Sequence, residues 1–322
     1  MFLMLALMIG LRQEVGADWV NYIEHIELVV GVSVMEAILV KGDPAYGLLN
    51  WIAAQTGWGI YFVNTVCGLL FSWGLIAYCR AQPRPWLAMV VAVPYLVIVV
   101  AMGYSRQGVA IGLSMMGLAA LSRGRFRLFI TWICLATLFH KSALILFPLV
   151  VLSRTKNRVV TAIWVLLISV AMFLLMVQEY VENLQYTYLE QEYESSGALI
   201  RIVMNALPAT VFLVLRPWFA LDRAANAFWT GMAISAILFL GLLQVSPSST
   251  AVDRLALYWI PLQLFVWARL PDAMERWRGH GAWCAHAIIV YSASVLYLWL
   301  FHATNSWTWL PYQFRPWVLT WQ

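Results

Sequence analysis

The run WGIYFVNTVCGLLFSWGLIAYC, Trp58–Cys79, decides the fold class of this chain. Its 22 residues carry no charge, and about 20 apolar residues make a helix long enough to cross the hydrocarbon of a bilayer. Only helices and closed barrels satisfy their backbone hydrogen bonds inside a membrane, and a run of this length suits a helix. The stretch therefore predicts a transmembrane helix.

Runs of the same kind fill most of the chain. The 322 residues are 63% hydrophobic and 11% charged, with a mean hydropathy of +0.78, whereas a soluble domain has about 25% charged residues. This composition excludes a water-soluble globule. It predicts an all-α, polytopic membrane helical bundle of about nine or ten helices, forming a single integral membrane domain over 1–322. The other apolar runs are Met1–Leu11, Trp86–Tyr104, Gln107–Leu121, Leu128–Leu152, Val159–Val177, Ile202–Leu215, Ala227–Val245, Leu255–Trp267 and Ala282–Phe301.

One of these runs, Leu128–Leu152, is interrupted by His140-Lys141-Ser142. Each half is too short to cross about 30 Å of hydrocarbon at 1.5 Å per residue. We therefore predict a broken, re-entrant helix whose polar tip points to the outer face and lines a protein cavity. A single continuous span is the alternative, but it would place the basic loop Arg154–Arg158 outside, against the positive-inside rule.

Two segments are predicted to lie on the outer face. Segment 12–56 reads as an amphipathic helix along the surface, ended by Gly42-Asp43-Pro44, with Asp43 as N-cap of a second helix over Ala45–Gln55. Capping alone would explain Asp43. The acidic, Tyr-rich loop 179–197 suits recognition of a sugar, or it is simply a solvated loop. The C-terminal Asn305–Gln322, rich in Trp, is typical of a membrane-interface belt.

Four arginines, Arg12, Arg106, Arg201 and Arg254, fall at outer ends of the predicted helices. A cation at the hydrocarbon boundary is costly, so four of them on one side suggest an anionic ligand. The alternatives are contacts with lipid phosphates, or ion pairs with neighbouring acids. The four Cys and five His residues are scattered and no nucleotide-binding motif is present, so we expect no metal, no cofactor and no nucleic acid.

Six segments, taken in order, resemble the EpsG family of Wzy-like polymerases, which act on exopolysaccharide, capsule and O-antigen repeat units. In that family GTDY often stands where this chain has Gly16-Ala17-Asp18-Trp19. The segments are GLRQEVGADWVNY (Gly10–Tyr22), DPAYGLLN (Asp43–Asn50), SRQGVAIGL (Ser105–Leu113), LFHKSALI (Leu138–Ile145), DRLALYW (Asp253–Trp259) and LPY (Leu310–Tyr312).

The resemblance implies a metal-independent, GT-C-like glycosyltransferase of the bacterial inner membrane. Such an enzyme transfers a growing glycan from undecaprenyl diphosphate to the next lipid-linked repeat unit at the periplasmic face. Its partners would be the lipid-linked donor and acceptor, membrane lipids and a chain-length regulator. An O-antigen ligase, a flippase for the same lipid-linked oligosaccharide and an outer-face acyltransferase using His140 are the alternative functions.

Under this resemblance, residues take the following roles. Arg106 and Arg254 are expected to clamp the diphosphate, supported by Arg12 and Arg201, because fixed cations stabilise a growing negative charge. Either Asp18 or His140 is the general base for the acceptor hydroxyl; backbone carbonyls at the helix break could equally explain His140. The remaining candidates position the substrate: Tyr22, Asp43, Gln107, Lys141 and Tyr258.

Overall fold

A computed structural model describes residues 1–40, 42–148 and 197–318 of the chain, and these residues are mostly helical. They fall into two compact units, Met1–Ala143 with Ile289–Gln322, and Leu144–Ile288, called here unit 1 and unit 2. Three predicted features lie outside the described residues: the run Val159–Val177, the basic loop Arg154–Arg158 and the acidic loop 179–197, apart from Gly197.

Unit 1 contains most of the N-terminal half of the chain and a short two-stranded antiparallel ribbon. In the ribbon, Arg12 pairs with Phe314 and Gln13 with Gln313. Its elements are α1 (Phe2–Gly10), β1 (Arg12–Gln13), α2 (Trp19–Glu27), α3 (Val34–Leu39), α4 (Pro44–Thr56), α5 (Gly59–Arg80), α6 (Pro85–Ala92), a π-helix (Val93–Ala101), α7 (Ser105–Leu121) and α8 (Phe126–Phe139). A 3₁₀-helix (Lys141–Leu146) follows, and its residues belong partly to each unit.

Unit 2 is built from α9 (Ala198–Leu215), a 3₁₀-helix (Arg216–Phe219), α10 (Arg223–Val245), α11 (Ser249–Ala256), a 3₁₀-helix (Leu257–Trp259) and α12 (Ile260–Arg278). The chain continues with α13 (Gly281–His302), whose residues belong partly to each unit. It ends with a 3₁₀-helix (Ser306–Thr308), β2 (Gln313–Phe314) and α14 (Arg315–Val318) in unit 1.

Four helical stretches among the described residues are long and apolar enough to cross a membrane. They are Gly59–Arg80, Ala198–Phe219, Arg223–Val245 and Gly281–His302. The prediction of a multi-pass helical membrane protein is confirmed. The total of nine or ten membrane helices stays a prediction, because Pro85–Ala101 and Phe126–Phe139 are apolar but shorter.

Small residues bring α1, α5 and α7 into close contact. A Cβ on Gly112 would lie 2.7 Å from the Cα of Phe71, and a Cβ on Gly10 would lie 2.5 Å from the Cα of Thr65. Helices in membranes associate partly through van der Waals packing, and small residues allow the backbones to approach closely. These contacts hold the three helices together.

We expect Gly112→Ala to destabilise the protein, because the added methyl group meets backbone that must move. Overpacking of this kind costs about 1–3 kcal/mol, and the thermal unfolding midpoint in detergent measures the effect. Gly241→Ala is the matched control, since nothing lies within 4 Å of the added Cβ. Equal midpoints for the two variants would contradict this account of the packing.

The predicted amphipathic helix of segment 12–56 is two helices, so this prediction is wrong in detail. Helix α2 ends at Glu27, and α3 begins after Ser33, whose hydroxyl accepts from the Glu36 amide while the Glu36 carboxylate accepts from the Ser33 amide. Such a capping box starts a helix, and Gly31 at φ +75° turns the chain ahead of it. The helix predicted to follow Asp43 is α4, which begins at Pro44 as expected.

The break at His140 is present in the structure. Helix α8 ends at Phe139, His140 has an extended backbone with φ −162° and ψ 113°, and a 3₁₀-helix follows. The interruption predicted from His140-Lys141-Ser142 is therefore confirmed as a helix break. That the broken helix is re-entrant stays a prediction.

The interval Leu255–Trp267 also differs from its prediction. The long helix begins at Ile260, after α11 and a 3₁₀-turn, and it continues to Arg278. The basic stretch Arg269–Arg278 therefore lies within this helix. Its charges do not end the helix, because a cation near a helix C-terminus interacts favourably with the dipole.

The described part of the C-terminal segment packs into unit 1. Trp309 is buried, its indole N–H donates to the Ile98 carbonyl at 2.8 Å, and its ring lies against Gly103. The Tyr312 hydroxyl donates to the Met8 carbonyl at 2.7 Å. This part of Asn305–Gln322 therefore braces the helices around β1 and is more than the interface belt that its tryptophans suggested.

Candidate active site

Asp43, Arg106 and His140 meet in unit 1, although they are far apart in the sequence. The Arg106 Nη1 group donates to Asp43 Oδ2 at 2.7 Å, and His140 Nδ1 lies 3.6 Å from the same oxygen. Asp43 occupies the N-cap position of α4, yet its side chain makes no capping hydrogen bond. Capping alone, the alternative for Asp43, is therefore wrong. We call these three residues the triad cluster.

The carboxylate of Asp43 is buried, with 3% of the residue exposed. Burial alone would raise its pKa, but the proximity of His140 and the ion pair with Arg106 outweigh this and hold the pKa of Asp43 below its ordinary value. Asp43 is therefore an anion at neutral pH. Its Oδ2 atom is contacted by two groups, one guanidinium and one imidazole.

Arg106 is fixed on one side and open on another. Its guanidinium carbon lies 5.7 Å from the ring centroid of Tyr46, within the range of a cation–π contact. The side chain is nevertheless 26% exposed. Such an arginine is held in place yet can still reach an anion, which a fully enclosed ion pair could not.

An aromatic wall adjoins the triad cluster. Tyr22, His25 and Tyr46 contact one another edge to face, with ring centroids 5.9–6.1 Å apart. Burial raises the pKa of the Tyr46 phenol well above its ordinary value, so the phenol stays neutral. Within the described part of the chain, the Tyr46 hydroxyl and the Asp43 Oδ1 atom are buried and make no hydrogen bond. Both atoms could bind a hydroxyl group of a substrate.

Arg12 is fully buried in unit 1. Its guanidinium donates to the carbonyls of Ile9 and Val15, to Asn64 Oδ1 at 3.2 Å and to Ser105 Oγ at 2.8 Å. Arg12 therefore connects β1 with α5 and α7 through its hydrogen bonds. Direct contact of Arg12 with a substrate stays a prediction.

The other predicted site residues of unit 1 lie close to the triad cluster in sequence or in space. Asp18 is half-buried at the N-cap position of α2, and its carbonyl accepts from the Tyr22 amide at 3.1 Å. Burial first and then the Asp18 charge raise the pKa of Tyr22. A Cβ on Gly42 would lie 3.4 Å from Lys141 Nζ, which places this amine beside the residue before Asp43. Gln107 is buried in the first turn of α7.

Unit 2 holds the remaining predicted residues. Arg201 makes a bidentate ion pair with Asp253, at 2.7 Å from Nε to Oδ1 and 2.6 Å from Nη2 to Oδ2. The ion-pair alternative raised for Arg201 is thus present, and its contact with substrate stays a prediction. Arg254 is half-buried in α11, and Tyr258 is buried in the 3₁₀-turn that follows. A clamp formed jointly by Arg106 and Arg254 stays a prediction.

Sequence reasoning missed four residues around the site: His25, Tyr46, Asn64 and Ser105. Tyr46 and Ser105 could have been predicted from the sequence, because they belong to the DPAY and SRQG segments that contain Asp43 and Arg106. Asn64 had a weaker signal, as an amide in the middle of an apolar run. Within the described residues, no group of three or more His, Cys, Asp or Glu side chains could hold a metal ion.

A comparison with known protein families identifies the family to which this chain belongs. The EpsG family matches residues 1–314, essentially the whole chain. The chain belongs to the EpsG family. No curated protein and no solved structure matches it. Membership of the EpsG family indicates a multi-pass membrane protein with an exopolysaccharide polymerase-like function, a glycosyltransferase activity in general.

Four of the six segments that carry the EpsG resemblance supply residues that meet in unit 1. DPAYGLLN supplies Asp43, SRQGVAIGL supplies Arg106, and LFHKSALI supplies His140. The stretch GLRQEVGADWVNY supplies Arg12 and Tyr22, which contact Ser105 just before Arg106. Four separate segments thus place charged and polar side chains in one region.

Proposed function

We propose that this EpsG family member transfers a growing glycan from undecaprenyl diphosphate to the non-reducing end of a lipid-linked repeat unit. The reaction takes place at the outer face of the bacterial inner membrane. One observation carries the proposal: the shared contact of Asp43 with Arg106 and His140. A fixed cation, a general base and a carboxylate that contacts both are the groups that glycosyl transfer from a diphosphate requires.

Arg106 is assigned to the leaving group. When the bond between the anomeric carbon and the phosphate oxygen breaks, undecaprenyl diphosphate leaves with additional negative charge. A guanidinium held by Asp43 and Tyr46 meets that charge without reorganising, and this preorganisation is the main source of electrostatic catalysis. Arg254 remains the second candidate for the clamp.

His140 is assigned as the general base. With Nδ1 facing the Asp43 carboxylate, the imidazole is oriented so that Nε2 can take the proton of the acceptor hydroxyl while its oxygen attacks the anomeric carbon. A carboxylate behind a histidine fixes its tautomer and stabilises the imidazolium that forms. Asp18 is the competing base, and it lies one helical turn before Tyr22 in unit 1.

The proposal includes a GT-C-like architecture and catalysis without a metal ion. Arginine replaces the metal as the partner of the diphosphate. We expect EDTA to leave the polymerisation rate of the purified protein unchanged within about twofold. The rate with EDTA is compared with that after adding back excess Mg²⁺ or Mn²⁺. Loss of activity that either metal restores would contradict metal independence.

The direct test of this function uses purified protein in detergent or nanodiscs with one defined lipid-linked repeat unit. We expect a ladder of products that grows by one repeat unit per step, with undecaprenyl diphosphate released in equal amount. Glycan transferred only to an added lipid core would indicate a ligase. Movement of the intact lipid-linked unit across vesicles without new bonds would indicate a flippase.

A further inference from the structure

The residue before Arg106 is held from three sides. Ser105 is the first residue of α7, and its backbone amide donates to the Tyr22 hydroxyl of α2 at 2.9 Å. Its own hydroxyl accepts from Arg12 Nη2 at 2.8 Å and donates to Asn64 Oδ1 at 3.2 Å. β1, α2 and α5 therefore all contact this one residue.

The first amide of α7 is capped by a side chain from another helix and not by the N-cap residue of α7 itself. The N-cap residue Tyr104 makes no side-chain capping hydrogen bond, although the first amides of a helix need acceptors. The Tyr22 hydroxyl supplies one of them and also donates to the Gly103 carbonyl at 3.4 Å. Tyr22 therefore ties together the end of the preceding helix and the beginning of α7.

Every member of this network is buried: Arg12, Tyr22, Asn64 and Ser105 are each at most 3% exposed. Their hydrogen bonds are shielded from water and leave little freedom to the backbone at Ser105. The side chain of Arg106 begins one residue later and reaches Asp43. The position of its guanidinium thus depends on how α7 is held at its first residue.

We propose that Tyr22 is a positioning residue that acts through Ser105 on Arg106, instead of binding substrate itself. This inference rests on the proposed function, because it assigns to Arg106 the diphosphate of the donor. The Tyr22 hydroxyl fixes α7, Arg12 fixes the Ser105 side chain, and the two together set the distance from Arg106 to its ligand. A displacement of about 1 Å in such a group can cost up to 10² in rate.

The test compares Tyr22→Phe and Arg106→Lys, singly and combined. Tyr22→Phe keeps the ring that packs on Tyr46 and His25 and removes only the hydroxyl. We expect about a tenfold weaker affinity for undecaprenyl diphosphate and a raised donor KM. The unfolding midpoint should fall only by the amount that loss of one buried hydrogen bond causes, with the protein still folded. Ser114→Ala, which removes a hydroxyl bonded only within α7 at 2.7 Å to the Ala110 carbonyl, should leave affinity and KM unchanged.

The combined variant decides whether Tyr22 acts through Arg106. We expect Tyr22→Phe to have little further effect on undecaprenyl diphosphate binding once Arg106 is lysine, because coupled residues are not additive. Full additivity, or native affinity in Tyr22→Phe, would overturn the positioning role while leaving the proposed function intact. Native affinity and turnover in Arg106→Lys and Arg106→Ala would instead reject Arg106 as the diphosphate ligand, and the positioning role with it.

Discussion

Replacing Arg106 with alanine is expected to abolish long polymer while the protein remains folded. The substitution removes the cation that meets the leaving diphosphate, and loss of one such group costs about 10²–10³ in turnover. The measurement is the rate of repeat-unit addition by purified protein, together with its size-exclusion profile and unfolding midpoint. Arg106→Lys should be intermediate, because it keeps the charge but loses the planar guanidinium.

The chain offers a matched control for this variant. Arg315 also contacts an aromatic ring and a hydrogen-bond acceptor, with its guanidinium carbon 4.1 Å from the Tyr61 centroid and Nη1 donating to the Tyr61 hydroxyl at 2.7 Å. We expect Arg315→Ala to keep most of the polymerase activity. Long chains made by Arg106→Ala at the native rate would reject the assignment. Arg254→Ala, measured in the same assay, tests the second half of the predicted clamp.

Replacing His140 with alanine is expected to lower turnover by about 10²–10⁴ while donor binding is retained, which is the contribution of a general base. Asp43→Asn should also lower turnover, because the imidazole loses the carboxylate that orients it and Arg106 loses its ion pair. The readouts are kcat for repeat-unit addition and the affinity for undecaprenyl diphosphate. His286→Ala, which alters an exposed histidine of α13, is the control.

Asp18→Asn separates the two candidate bases. If His140 is the base, Asp18→Asn keeps most of its turnover, and Asp43→Asn adds little to the loss already caused by His140→Ala, because residues that act as a unit are not additive. Near-native turnover in His140→Ala together with a large loss in Asp18→Asn would transfer the role to Asp18.

Local signals in the sequence predicted the ends of several helices correctly. The dipeptide Asp43-Pro44 marked the start of α4, and His140-Lys141-Ser142 marked the end of α8. Both rest on short-range chemistry, namely the fixed φ of proline and the cost of polar groups in an apolar run. The capping box at Ser33 and Glu36 is also a short-range signal. It was overlooked because the helical spacing of apolar residues was followed through Leu28–Ser33 as if one helix continued there.

Side-chain partners could not be predicted in the same way. Asp43 has the sequence signature of an N-cap, and only the tertiary contact with Arg106, 63 residues later, shows where its carboxylate points. Arg12 and Arg106 look alike at the outer ends of apolar helices, yet one is fully buried among protein acceptors and the other is 26% exposed. Burial of a cation depends on which helices pack around it, which a single sequence does not specify.

The central claim is that Arg106, Asp43 and His140 form the centre that acts on the diphosphate-linked donor. The most direct measurement is an experimental structure of the protein with undecaprenyl diphosphate bound. We expect a phosphate oxygen within hydrogen-bond distance of the Arg106 guanidinium, with His140 facing the adjoining space for the sugar. A diphosphate bound elsewhere, with the ion pair between Arg106 and Asp43 undisturbed and no phosphate near it, would contradict the account.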